Sequence, residues 1–107
     1  MDVTFSARHM DLSDATKAYI REKVTKLDRS HDNITEVKAV VCKEHVGFQF
    51  ELVVVIPGHA NIVITRRSEN LYGAVDDAVA TGERKLRQFK EKRQRRKGHL
   101  HDLPDQV

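Results

Sequence analysis

From Leu71 the chain runs for more than 25 residues without proline, and its apolar side chains hold one azimuth. At helical spacing Leu71, Val75, Ala78, Val79, Gly82, Leu86 and Phe89 fall within about 100° of one another. A stripe of that width buries one side of a long helix, so the rest of the chain has to supply a surface for it to cover. Beyond Phe89 the same azimuth passes to Arg93 and Arg96, and the stripe stops before the helix does. The second half of the helix is therefore expected to project past the core into solvent. Gly98 is expected to end it, giving a single domain over residues 1–97 and a flexible tail over residues 98–107.

The covering surface is legible upstream. Val3, Phe5 and Ala7 alternate with Thr4, Ser6 and Arg8, the period of a half-buried strand. Leu12-Ser13-Asp14 reads as a helix start, with Ser13 as cap and Asp14 favoured by the helix dipole. Thr16, Ile20, Val24 and Leu27 then form one apolar stripe, with Lys23, Lys26 and Arg29 to one side of it and a turn at Ser30-His31-Asp32-Asn33. From Ile34 to Ile56 two alternating runs flank Glu44-His45-Val46-Gly47, which predicts a hairpin whose second strand aligns Phe48, Phe50, Leu52, Val54 and Ile56. Pro57-Gly58 turns the chain into a further strand, Ala60 to Arg67, with Ile62 and Ile64 on one side. The order is β-α-β-β-β-α: an α+β fold with a four-stranded mixed sheet and two helices on one face. Its last five elements resemble the double-stranded RNA-binding domain topology. The Lys-rich helix start that such domains set against phosphates is here Glu69-Asn70-Leu71-Tyr72-Gly73, so ordinary duplex binding is not expected.

Charge is segregated along this framework. Residues 84–97 carry nine Lys or Arg against one acid, Glu91, a local charge of +8; the total is +3, so the other 93 residues sum to −5. A basic block on a mildly acidic domain points to a polyanionic partner. Arg84, Lys85, Arg87, Lys90 and Arg93 are the expected phosphate contacts. Lys23, Lys26 and Arg29 form a candidate second rim. Arg66 and Arg67 read either as an extension of the patch or as a charged strand end, and Tyr72 and Tyr19 either as stacking partners for a base or as residues at the edge of the core.

Other chemistries find little support. Cys42 is the single cysteine, which rules out an intramolecular disulfide and fits a packing role on a strand. His9, His31, His45 and His59 are scattered, and His99 and His101 fall in the expected tail, none at metal-ligand spacing. Asp76 and Asp77 are adjacent on a helix and point about 100° apart, unsuited to shared acid/base work. No metal, cofactor or enzymatic activity is expected. The first residues lack a basic and then apolar leader, no window approaches a membrane span, and a cytoplasmic protein without membrane contact is expected.

Three stretches carry a family resemblance: the first strand running into Met10-Asp11-Leu12-Ser13, then Lys23-Val24-Thr25-Lys26-Leu27-Asp28, then Glu69-Asn70-Leu71-Tyr72-Gly73-Ala74-Val75-Asp76 with the later Glu83-Arg84-Lys85-Leu86. Over residues 2 to about 92 their order and spacing resemble the ribosome hibernation promoting factors and ribosome-associated inhibitors, also called sigma-54 modulation proteins. The resemblance implies a protein that enters the small (30S) ribosomal subunit between head and body. There it would lie over 16S rRNA in the decoding channel, block mRNA and tRNA, and inhibit translation in stationary phase or stress. It implies the 70S ribosome as partner, and ribosome modulation factor where inactive 70S or paired 100S particles form. By position, Lys23, Lys26, Arg29, Arg84, Lys85 and Lys90 match basic positions on that family's RNA-facing helices. Gly82 stands where relatives often carry Lys, which implies one phosphate contact fewer, and Lys92 to Lys97 is more basic than usual. The family's dimerisation domain has no counterpart among these residues, and the free protein is expected to be a monomer. The other reading is a protein-interaction adaptor, a sigma-factor modulator whose basic helix grips an acidic partner.

Overall fold

The computed structural model describes the backbone of residues 1–31 and 33–102 and the side chains of residues 1–31 and 33–88. The chain forms β1 (Asp2–Arg8), α1 (Asp14–Thr25), a 3₁₀ turn (Lys26–Arg29), β2 (Glu36–Lys43), β3 (Phe48–Val55), β4 (Ile62–Ser68) and α2 (Leu71–Asp102). The strands lie in the order β1-β2-β3-β4. β1 pairs with β2 in parallel, from Asp2 opposite Glu36 to Arg8 opposite Cys42, with α1 as the crossover that parallel neighbours require. β2, β3 and β4 form an antiparallel meander. The mixed four-stranded sheet and its element order are those read from the sequence.

Local chemistry sets the boundaries. Ser13 Oγ accepts from the Thr16 amide at 3.1 Å, capping α1 as its sequence predicts. At its other end α1 tightens into the 3₁₀ turn, which closes with the Ser30 amide on the Leu27 carbonyl at 2.9 Å. Ile56-Pro57-Gly58-His59 is a β-turn with the His59 amide on the Ile56 carbonyl at 3.2 Å, and Gly58 at φ +80° takes the position that needs a left-handed residue. Strand pairing resumes at Ile62, two residues later than Ala60.

The core is one layer between the sheet and the helices. Val37, Ala39 and Val41 of β2, Phe50, Leu52 and Val54 of β3, and Ile64 of β4 meet Ile20, Val24 and Leu27 from below α1 and its 3₁₀ turn. From α2 come Leu71, Ala74, Val75, Ala78, Val79 and Leu86. Gly82 is buried among them, where a Cβ would stand 3.3 Å from Ile64 Cδ1 and 3.4 Å from Leu27 Cδ2. Its missing side chain lets α2 lie close to the sheet. A glycine here thus marks a core position, as its place in the apolar stripe of α2 predicts.

Two further features bear on the site. Contacts between the helices advance together along both, with Thr16 meeting Tyr72, Tyr19 and Lys23 meeting Asp76, and Leu27 lying against Gly82. α1 and α2 are therefore parallel. α2 also continues through Gly98 to Asp102, about 48 Å at 1.5 Å per residue, so Gly98 does not end it. A single glycine inside a helix costs about 1 kcal/mol against alanine, a weaker stop than a proline would be. Residues 103–107 of the expected tail lie outside the described residues.

Candidate nucleic-acid interface

Parallel packing decides where the cations go. Leu27 anchors the 3₁₀ turn against Gly82, and Lys26 and Arg29 flank it on the same turn. Two residues beyond Gly82, α2 exposes Arg84, Lys85 and Arg87 around the fully buried Leu86. The two basic sets, 55 or more residues apart in sequence, thus occupy one end of the helical layer. Arg29, Arg84, Lys85 and Arg87 are exposed and Lys26 is half-buried. Among the described residues, none of the ion pairs engages any of these five. Lys90 and Arg93 belong to the helix backbone, and their side chains lie outside the described residues.

Lys23 is different. Its Nζ sits 3.8 Å from Asp76 Oδ1 and 5.3 Å from the centre of the Tyr19 ring. The same Asp76 oxygen accepts the Tyr19 hydroxyl at 2.6 Å. Tyr19 in turn stacks on Tyr72, ring centres 4.3 Å apart and 28° between planes, and the Tyr72 hydroxyl lies 3.3 Å from Thr16 Oγ1. Tyr72 remains 40% exposed, so it is a rim residue braced by a second ring. The hydrogen bond to Asp76, then burial, then the nearby carboxylate push the Tyr19 phenol up from 10 to about 12.

This bridge between the helices escaped the sequence, where Lys23 reads only as a basic residue. The one signal was the spacing of Tyr72 and Asp76, four apart on a helix and hence on one face. The arginines of β4 are likewise engaged. Arg66 shares the inner face with Ile64 and reaches α2, with Nε 3.3 Å from Asp77 Oδ2 and Nη2 donating to Thr81 Oγ1 at 3.0 Å. Arg67, on the open face, binds Glu44 at 3.2 Å and Gln49 at 2.9 Å. The charged-strand reading therefore fits both better than extension of the patch. Asp76 and Asp77 turn to neighbours on opposite sides, α1 and β4, as adjacent helical positions must.

Among the described residues no group of three or more His, Cys, Asp or Glu is placed to hold a metal ion, and no helix is long and apolar enough to cross a membrane. Buried His31 accepts the Asn33 amide on Nδ1 at 3.1 Å, a local turn bond.

Fold and charge together define a class of small α+β domains that present two parallel helices, cationic at one end, on a four-stranded sheet. Within it, residues 3–94 match the family described as Sigma 54 modulation protein / S30EA ribosomal protein, and the chain belongs to that family. It is 32% identical over 92 residues to a ribosome hibernation promoting factor of Azotobacter vinelandii, covering 86% of this chain and 85% of the relative. It is 29% identical over 94 residues to the factor of the same name from Pseudomonas putida, covering 88% and 91%. The crystal structure of the N-terminal domain of Protein Y from Thermus thermophilus superposes with a TM-score of 0.76 at 27% identity, over 83% of this chain and 99% of that one.

Proposed function

We propose that this protein is a ribosome hibernation factor that binds the small subunit through 16S rRNA in the decoding channel, excludes mRNA and tRNA, and so inhibits translation. The observation that carries the proposal is the parallel packing of α1 on α2, which gathers Lys26 and Arg29 with Arg84, Lys85 and Arg87 at one end of the domain. Family membership narrows a general polyanion surface to the ribosome, since both relatives are named for hibernation. Arg and Lys suit the task because folded RNA is met largely through phosphate and ribose, with shape choosing the site. Lys90 and Arg93 continue the basic run along α2. The action is occupancy with no chemical step, in the cytoplasm where ribosomes work. Inactive 70S particles, or 100S pairs formed with ribosome modulation factor, are the states it would stabilise.

Sedimentation of the full chain with purified small subunits across a salt series tests this. Binding should weaken steeply with salt, by about 0.7 to 0.9 in log K per log salt for each phosphate met. Reversing Arg84 and Lys85 to Glu should weaken binding at least tenfold while the circular dichroism spectrum is unchanged. Salt-indifferent binding, or none, would overturn the proposal. A partner retained after nuclease treatment, with no affinity for subunits, would instead favour the adaptor.

A further inference from the structure

We infer that Lys23 is a releasable phosphate ligand, held on Asp76 in the free protein, and that Asp76 and Tyr19 tune how readily the domain accepts RNA. The inference rests on the ribosome-binding reading and adds to it a specificity device that no contact residue supplies.

The geometry is asymmetric in a useful way. Asp76 Oδ1 accepts a hydrogen bond from the Tyr19 hydroxyl at 2.6 Å and forms an ion pair with the Lys23 ammonium at 3.8 Å. The first bond is short, and its donor is fixed by stacking on Tyr72. The second is long, on a flexible stem, and its side chains are 27% and 52% exposed. Solvent-accessible ion pairs of this kind contribute little. A phosphate neutralised on RNA releases a counterion and gains about as much or more at ordinary salt. When a phosphate comes within reach, Lys23 therefore leaves. Asp76 is not stranded by the exchange, because the Tyr19 hydroxyl still satisfies it.

Lys26 and Arg29 stand on the following turn of the same helical segment, so the phosphate that takes Lys23 continues the track they begin. Asp76 sets a threshold: a polyanion gains Lys23 only by competing it away. Loose single-stranded RNA, which shifts to other phosphates, meets that threshold less well than a rigid surface that presents one phosphate in place. Asp76 and Tyr19 act through Lys23 and are positioning residues.

The experiment compares the full chain and its variants on small subunits and on polyuridylate, each across a salt series, with circular dichroism to report folding. Asp76→Asn keeps an acceptor for Tyr19 and removes the competing charge. It should raise affinity about two- to fivefold with the salt slope unchanged, and more on polyuridylate than on subunits. Lys23→Ala should flatten the slope on subunits by about 0.7 to 0.9, and the gain from Asp76→Asn should vanish in that background. Tyr19→Phe, a second probe, leaves Lys23 as the partner of Asp76 and should lower affinity. The proposal is overturned if Lys23→Ala leaves the slope untouched while Asp76→Asn steepens it, since Lys23 would then be a locked strut. It is overturned equally if the Asp76→Asn gain survives without Lys23. Wild-type protein that shows no salt-dependent binding to subunits would instead sink the ribosome reading itself, before any variant is compared.

Discussion

Replacing Gly47 with alanine tests how closely the β2–β3 hairpin is tied to the start of α2. Gly47 and Gly58 have nearly the same backbone, φ +81° and +80°, so a Cβ at either suffers the same left-handed penalty of about 1 to 2 kcal/mol. Both changes also restrict the unfolded chain, which offsets about 0.4 to 1 kcal/mol. Their surroundings differ. Nothing lies within 4 Å of a Cβ on Gly58, whereas on Gly47 it would stand 2.6 Å from the Ser68 carbonyl oxygen and 2.9 Å from Glu69 Cα. These are backbone atoms at the junction of β4 and α2, and no side-chain rotation relieves them. Overpacking of this kind costs about 1 to 3 kcal/mol. Gly58→Ala should therefore lose about 1 kcal/mol and Gly47→Ala about 2 to 4 kcal/mol, a separation of at least about 5 °C in Tm for a domain of this size. Urea unfolding followed by circular dichroism, with equal m values, measures the difference. Equal losses within about 0.5 kcal/mol would mean that the hairpin retreats freely from Ser68 and that the close approach carries no energy.

Tyr19 gives a pH signature. Its phenol is raised to about 12 in the fold against 10 unfolded, so its contribution is complete below pH 10 and is lost as pH rises through 12; ultraviolet titration should resolve one late tyrosinate, absent from Tyr19→Phe. Gly82→Ala should stay within about 1 kcal/mol of wild type, because the gain in helix propensity opposes a contact with flexible side-chain ends 3.3 Å away. Gly82→Lys should lose about 2 kcal/mol or more by driving an ammonium toward Leu27, Leu52 and Ile64, and a gain in RNA affinity without that loss would contradict the packing described. Ser13→Ala should cost about 1 kcal/mol in thermal unfolding through the lost cap of α1.

Periodicity carried the elements well. The alternation from Phe48 to Val54 and the stripe from Leu71 to Leu86 are both properties of a single segment, and both reappear as buried faces. Ser13 could be read because its partner is three residues away. What escaped are relations between segments. Nothing local to Lys23 tells that Asp76 lies 3.8 Å away, since that follows from α1 and α2 running parallel, a consequence of the crossover to β2. For Arg66 the alternation with Ile62 and Ile64 did hold the answer: a strand residue in phase with the core meets the covering helix, here at Asp77. The adjacent charge of Arg67 hid it.

The parallel seam between β1 and β2 has a kinetic consequence. Partners across the β2–β3 and β3–β4 ladders are between 5 and 20 residues apart, whereas every pair across the seam, such as Asp2 with Glu36, spans 34. Closing the longer loop costs more chain entropy before any contact compensates it, so the meander should form ahead of β1 and α1. Those two elements dock last and open first, and native-state hydrogen exchange should find their amides released in a unit smaller than the whole fold. Lys26 and Arg29 travel with that unit. A partly unfolded chain therefore holds the arginines of α2 without Lys26 and Arg29 beside them, and the joined basic surface exists only when the N-terminal segment has closed.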